Sequence, residues 1–365
     1  MKKIVSVSMG DSSLDTRFKT RFLGESFQVS RIGTDGDAKR AAKLIKEARD
    51  AAQAIGLGRV REHYTVGTDH FVRPETRKLE KVAGSTPVTT GARLREIVQE
   101  WTLRSAQTEL GNIYNTARVL VLSGARNYRL ASLMSEYTDN LSFADPVAQF
   151  GLPNILHSLE ALERYASGTH PILRFEGGKS RIPAVMPMRF LNHMLLRRAV
   201  KDAHVVVPPY EQLEHYDQEE LDGKTVITST VSDSRLEELR DKGVRMVLDC
   251  SIQPFKQTVG LNVVEAMIMA ALEKRTEDIN HDDYLEIFTD LELKPRILYP
   301  IPGLKQINRF AFVIHPLSQQ YLNHLKPLEM VSKVSPKPVM NLVEKAVAYT
   351  CLLYTSPSPR DNQPH

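Results

Sequence analysis

The sequence has very little cysteine, and this shortage argues against an intrachain disulfide bond and against a zinc site. Its 365 residues include only Cys250 and Cys351, and no cysteines and histidines are grouped at the spacing of a zinc site. Cys250 follows an apolar run at residues 244–248, which predicts a small buried side chain rather than a nucleophile. We therefore expect a protein without an intrachain disulfide bond and without a bound metal.

Long hydrophobic runs and dense basic runs are also missing. The best apolar run, residues 263–272, is interrupted by Glu265 and is too short to span a bilayer. The N-terminus carries two lysines but lacks the apolar segment of a secretory signal. Basic residues are spread along the chain, whose formal net charge is +4, so nucleic acid is not indicated as a partner. These features favour a cytoplasmic protein without a membrane span.

The material for a folded core is ample, since hydrophobic residues make up 42% of the chain. At this length, that is enough for two domains. Short β-rich runs alternate with amphipathic helical patterns, which is typical of parallel sheets with crossover connections. We predict an α/β fold with two Rossmann-like lobes and mainly parallel sheets, at residues 1–110 and 111–294. Residues 295–305 are the predicted linker to a truncated α/β fragment at residues 306–350.

One candidate ligand site follows the second predicted strand. Residues 33–37 read Gly-Thr-Asp-Gly-Asp and lie between a strand and a helix, where open α/β sheets bind ligands. Asp37 can accept from the free N–H groups of the following helix, which would make it an N-cap. Asp35 is then the carboxylate that can contact a ligand hydroxyl or amine, with Thr34 and Gly36 beside it.

A second candidate is Gly56-Leu-Gly58, which begins the dinucleotide fingerprint Gly-x-Gly-x-x-Gly. Arg61 stands where the third glycine belongs, so the pair forms either a phosphate-binding turn or a tight turn at a strand end.

The hydroxyl-rich segment Thr228, Ser229 and Thr230 also ends a strand and precedes a helix. Farther along, Asn262 and Glu265 have the spacing of a capping box, whereas Gly260 would let an anion approach the helix N-terminus. We expect the segments 34–37, 228–230 and 260–262 to meet at one cleft between the lobes. Their donors and helix dipoles would suit a small anionic metabolite or nucleotide with hydroxyls.

Together, the segments 31–37, 56–58, 228–230 and 260–266 resemble bacterial proteins catalogued as quinate 5-dehydrogenase, over most of residues 1–275. This resemblance implies an oxidoreductase that uses NAD(P). The glycine fingerprint and the Lys/Asp pair of shikimate-type dehydrogenases do not occur in this sequence, so we expect the chain itself to be inactive in hydride transfer. The alternative is a non-catalytic module that binds an anionic metabolite or nucleotide.

The C-terminal segment carries a second resemblance. Residues 309–350, with a predicted strand at 310–314 and Ser318 as an N-cap, are similar to the start of an acyl-carrier-protein-reductase-like domain, a relative of the quinate/shikimate dehydrogenases. Residues 351–361 resemble a translated sequencing adapter. We therefore expect the natural sequence to continue differently after Thr350, with the catalytic core encoded beyond it, and residues 351–365 to form an exposed tail without regular structure.

A remote alternative is a serine esterase. Gly10-Asp11-Ser12 follows a predicted strand and resembles the Gly-Asp-Ser block of such enzymes, and Asp278 and His281 match their Asp-x-x-His pair. The chemistry would require Ser12 to lie beside His281, with an oxyanion hole nearby.

Overall fold

The computed structural model describes residues 1–175, 186–208, 216–255 and 259–300, and these belong to one structural unit. They form an α/β protein with two mainly parallel sheets, which confirms the predicted fold class. None of the helices within these ranges is both long enough and apolar enough to cross a membrane.

The strands of the described residues are short, and most are buried. In chain order they are β1 (Lys2–Ser8), β2 (Thr16–Phe22), β3 (Glu25–Gly33), β4 (Ala54–Gly58), β5 (Tyr64–Val66), β6 (Asp69–Phe71), β7 (Val88–Thr89), β8 (Val119–Val121), β9 (Leu141–Phe143), β10 (Val205–Val207), β11 (Thr225–Thr228), β12 (Met246–Asp249) and β13 (Arg296–Leu298).

The helices of the same ranges connect these strands. They are α1 (Ala38–Ala48), α2 (Pro74–Val82), α3 (Ala92–Leu110), α4 (Tyr128–Ser135), α5 (Asp145–Phe150), α6 (Leu159–Phe175), α7 (Met186–Asp202), α8 (Gln218–Leu221), α9 (Asp233–Asp241), α10 (Leu261–Leu272) and α11 (His281–Asp290), with 3-10 turns at Ser12–Leu14 and Thr276–Asp278.

The first sheet has the strand order β2-β3-β1-β4-β7 and is parallel except for the antiparallel edge strand β2. Alternate residues of β1 face opposite cores, since Ile4 packs with α3, α10 and α11 while Val7 packs with α1 and α2. The second sheet has the order β13-β12-β11-β10-β8-β9, in which only β13 is antiparallel.

Helix α3 connects the two cores. Leu94 and Ile97, in its first half, pack in the core of the first sheet, and Leu103 and Ala106, in its second half, pack in the core of the second sheet. An apolar stripe along 19 residues is long enough to serve both lobes. One helix therefore holds the two sheets in a common framework.

The packing of α10 crosses the boundary that we expected at residue 110. This helix follows the strands of the second sheet in sequence, but its buried residues, such as Val264 and Ile268, pack with Ile4 and Phe27 of the first sheet. Nine of its residues are buried, and the lobe of the first sheet offers the matching apolar face. Strand β13 lies within the segment 295–305 that we expected to be a linker, and it pairs with β12 of the second sheet. The other domain bounds stay predictions.

A hairpin formed by β5 and β6 extends from the first lobe into the second. Its residues Tyr64, Val66 and Phe71 belong to the core of the second sheet, beside Leu162 of α6. The rings of Tyr64 and Phe71 are stacked, with centroids 4.7 Å apart. The hairpin therefore fixes the segment that follows β4 against the second lobe.

Candidate functional site

A cleft with a cavity volume of about 270 Å³ lies between the two lobes. The second lobe contributes residues at the carboxyl ends of its parallel strands, including Ser123, Val207 and Thr228. The first lobe contributes the segment after β4 and the first turns of α3. Open α/β sheets bind ligands at such strand ends. Larger depressions of about 550 and 560 Å³ lie elsewhere, beside β2 and α7.

Helix α4 begins at the cleft without a side-chain cap. Its N-cap residue, Asn127, donates from Nδ2 to the carbonyl of Ser123 at 2.9 Å, so its side chain is turned away from the helix N–H groups. The first N–H groups of a helix have no partner within it, and they carry the positive end of the helix dipole. Arg126 directly precedes the N-cap residue Asn127. It is exposed, and it forms no hydrogen bond or ion pair with another described residue.

The loop that carries Arg126 is held by a buried carboxylate. Asp145, at the start of α5, accepts from the backbone N–H groups of Gly124 (2.7 Å) and Ala125 (3.0 Å). Burial raises the pKa of Asp145 to about 6, although these two hydrogen bonds oppose the shift. A side chain at Gly124 would overlap Phe143, because its Cβ would lie 2.4 Å from the ring. The loop therefore has little freedom to move.

The opposite wall of the cleft contains an ion pair between Glu62 and Arg95. The two terminal guanidinium nitrogens of Arg95 donate to the two carboxylate oxygens of Glu62, with Nη2 at 2.5 Å from Oε1. Both side chains are half-buried. Bidentate pairs of this kind are strong and well oriented. The charge of Arg95 is thus compensated, whereas that of Arg126 is not.

Thr228 and Ser229 line the same cleft, where they follow β11. The next residue, Thr230, has a φ of 61°, and Asp249 accepts from its N–H at 2.9 Å and from the N–H of Val231 at 3.2 Å. Asp249 is fully buried and pairs with Arg296 of β13. Burial raises the pKa of Asp249, and Arg296 opposes that shift. The hydroxyl segment is therefore held in place by a buried ion pair.

Residues 34–37 lie at the carboxyl end of β3, but they are not among the residues that line the cleft. Thr34 is buried and donates from its hydroxyl to the carbonyl of Ser8 at 3.1 Å. Asp35 accepts from the N–H of Ser12 at 2.8 Å and, like Gly36, has a positive φ. Asp37 is the N-cap of α1, as the capping interpretation predicts, and its bonds from the backbone of Arg40 and Lys39 lower the pKa of Asp37.

Gly56 and Gly58 belong to strand β4 and form no turn. A Cβ at Gly56 would lie 2.7 Å from the backbone oxygen of Asn262, and one at Gly58 would lie 3.0 Å from Ser8. Neither the phosphate-binding turn nor the tight turn that was expected at this pair is therefore formed. Gly56 instead allows α10 to pack closely on the sheet.

The capping-box interpretation of Asn262 and Glu265 is also wrong. Gly260 is the N-cap of α10 and forms no side-chain cap. Asn262 donates from Nδ2 to the hydroxyl of Ser6 at 3.0 Å. Glu265 is fully buried, and its carboxylate accepts from Thr89, the N–H of Leu94 and the hydroxyl of Tyr284. It holds the start of α3 and the first half of α11 onto α10.

The three expected motifs do not all contribute to the cleft. The segment 228–230 supplies Thr228 and Ser229, but 34–37 and 260–262 supply no lining residue.

The geometry that a serine esterase requires is not seen, since no hydrogen bond joins Ser12 to His281, two residues that the structure describes. No group of three metal-ligating side chains occurs within the described ranges. Residues 301–365, with the predicted fragment and tail, lie outside those ranges.

The sequence analysis missed the residues that shape this cleft. Asp145 and Asp249 each stand at or just after the end of an apolar strand, a position that signals a carboxylate holding the adjacent loop. Arg126 and Arg95 carry no comparable local signal, because arginines at helix starts are usually solvated.

Family models account for most of the described chain. The model described as "Domain of unknown function (DUF8754)" matches residues 93–300, and that described as "Domain of unknown function (DUF8753)" matches residues 3–90. The boundary between the two models falls at residues 91–92, where α3 begins. No curated protein matches the sequence.

Several solved structures are distantly similar in fold. Malic enzyme from Entamoeba histolytica is 13% identical, with a TM-score of 0.37 over 97% of this chain and 82% of that one. A sugar ABC transport substrate-binding protein from Bordetella parapertussis 12822 is 12% identical, with a TM-score of 0.33 over 77% and 82%. A solute-binding protein from Agrobacterium vitis with bound D-fucose is 9% identical, with a TM-score of 0.33 over 75% and 91%. Similarities of this size say nothing about what this chain binds.

Proposed function

The chain belongs to the DUF8754 family, and we propose that its two lobes bind a small anionic metabolite in the cleft between them. The single observation that carries this proposal is the uncapped N-terminus of α4 next to the unpaired guanidinium of Arg126. Free helix N–H groups and an arginine together form a favourable site for a phosphate or carboxylate group.

The shape and lining of the cleft support a small ligand. Its volume of about 270 Å³ lies just below the 300–1,000 Å³ that is usual for drug-sized ligands. Val60, Tyr64 and Ile227 provide apolar surface, while Gln99, Thr228 and Ser229 provide donors and acceptors. This combination suits a metabolite with an anionic group, a short carbon frame and hydroxyls. A nucleotide is also anionic but larger than such a metabolite. The test therefore includes nucleotides among its probes.

The direct test is isothermal titration calorimetry of the full chain with inorganic phosphate, acetate, AMP and NADPH. We expect at least one anion to bind, and we expect Arg126→Gln to weaken that binding about tenfold to a hundredfold. That range corresponds to the loss of a charge-assisted hydrogen bond, about 1.5–3 kcal/mol. The matched control is Arg198→Gln, because Arg198 is an exposed arginine on α7 outside this cleft. Unchanged affinity in Arg126→Gln would reject this site.

An NAD(P)-dependent oxidoreductase is a second proposal, and it is supported by the resemblance of residues 1–275 and 309–350 to dehydrogenases. In this proposal the lobes are the N-terminal part of a longer cytoplasmic enzyme, and the present chain is silent in hydride transfer. We expect NADPH oxidation with acyl thioesters, and NAD(P) reduction with quinate, to stay at background. Turnover that survives purification and disappears in Arg126→Gln would show that the cleft is catalytic.

A further inference from the structure

Besides Arg126, a second arginine without a carboxylate partner stands at the base of the hairpin. Arg73 follows β6, directly before α2, and no carboxylate of the described residues pairs with it. Its Nη2 donates to the hydroxyl of Tyr64 at 3.2 Å, and its guanidinium carbon lies 5.1 Å from the centre of the Tyr64 ring. Its Nε is buried without a hydrogen-bond partner within those ranges. A buried donor of this kind is costly unless another group accepts from it.

Tyr64 fixes the position of Arg73 relative to the cleft. The tyrosine lines the cleft and is stacked on Phe71 within the core of the second lobe. The backbone N–H of Arg73 also donates to Nδ1 of His63, another cleft residue, at 2.8 Å. Arg73 is therefore attached to the cleft wall by two neighbouring residues that cannot move independently of the hairpin.

Arg73 and Arg126 are close enough to repel each other. Although Arg126 is exposed at the cleft, the surrounding protein and then the charge of Arg73 lower the pKa of Arg126. The only carboxylate lining the described cleft, that of Glu62, is already engaged by Arg95. Arg73 is not itself a lining residue, but it lies against Tyr64 of the cleft wall, so its uncompensated charge adds to that of Arg126. Two positive charges that act on one cleft are unfavourable for the empty protein and favourable for a ligand that neutralises both.

We infer that the ligand of this cleft carries two negative charges, one neutralised by Arg126 and the start of α4 and the other by Arg73. This inference rests on the proposed function, and it adds the charge of the ligand. A phosphomonoester and a dicarboxylate share this chemistry, because each is a dianion of small size at neutral to alkaline pH. A phosphodiester or a monocarboxylate of similar shape lacks the second charge.

The experiment compares pairs of probes that differ in charge and little in shape, by calorimetry with the full chain at pH 8. Methyl phosphate is a dianion at this pH, since its second proton dissociates near pH 6, and dimethyl phosphate is a monoanion. Succinate and its monomethyl ester form the second pair. We expect the dianion of one pair to bind at least about tenfold more tightly than its monoanionic counterpart, as loss of one charge-assisted contact predicts. The pair that shows the preference identifies the ligand as a phosphomonoester or a dicarboxylate.

Variants separate this inference from the proposed function. In Arg73→Gln we expect the preference for the dianion to fall to about twofold or less, while the monoanion keeps its affinity. Arg73→Lys keeps the charge and should keep a preference, and Arg198→Gln is the control for a lost surface arginine. Thermal melting of each variant verifies folding. Equal affinity for dianion and monoanion, with binding still dependent on Arg126, would overturn the inference alone. Failure of all four probes to bind would overturn the inference, and failure of phosphate, acetate, AMP and NADPH as well would overturn the proposed function with it.

Discussion

The buried ion pair of Asp249 and Arg296 gives the sharpest stability prediction. Asp249 is fully buried at the end of β12 and accepts from two backbone N–H groups and from Arg296. Asp249→Asn keeps the size of the side chain but removes its charge and one acceptor. The change removes the carboxylate partner of Arg296, which keeps its hydrogen bonds to Ser251 and Val231. It also leaves one N–H group, of Thr230 or Val231, without an acceptor.

The expected loss of stability is about 3 kcal/mol. Removal of one partner from a buried ion pair typically costs about 3–5 kcal/mol. The side chain of Arg296 is 20% exposed, so water can partly replace the lost carboxylate, which favours the lower end of that range. The orphaned N–H group contributes within the same figure, because the contributions of neighbouring groups are not additive.

Urea unfolding followed by circular dichroism measures this loss as a lower midpoint with an unchanged slope. The matched control is Asp202→Asn, which breaks the exposed pair with Arg198 and should cost less than about 0.5 kcal/mol. A loss below about 1 kcal/mol in Asp249→Asn would refute the view that this ion pair holds the loop. A similar loss in both variants would refute it as well.

Three further outcomes test other parts of the structure. Because the pKa of Asp145 is raised to about 6 by burial, the unfolded chain loses this proton first as the pH rises from about 4 to 6. Stability should therefore fall across that range, and the corresponding slope should be absent in Asp145→Asn. Gly56→Ala should lower stability by about 1–3 kcal/mol, because the new methyl group would meet the backbone of Asn262. Gly168→Ala, in open space on α6, should not lower stability. Burial raises the pKa of Cys250 far above its usual value, so in a Cys351→Ser background this thiol should react with a disulfide reagent only after unfolding.

Local patterns were sufficient to predict the fold class and several elements. The alternation of β-rich and helical runs predicted two mainly parallel sheets, and Asp37 predicted the start of α1. Strand β2 was missed, although Phe18 and Phe22 alternate there with Arg17, Lys19 and Arg21, the pattern of a half-buried strand. These features are readable because each depends on residues within a few positions of one another.

Which residues come together at the cleft depends on the tertiary structure alone. Tyr64 and Arg73 belong to the first lobe and Arg126 to the second, and the docked hairpin brings them together. The expected role of Asn262 failed for the same reason, since only the packing of α10 on Gly56 shows that it faces the first sheet. Hydrophobic burial between distant segments selects which strand ends face each other, and no local spacing of residues encodes that choice.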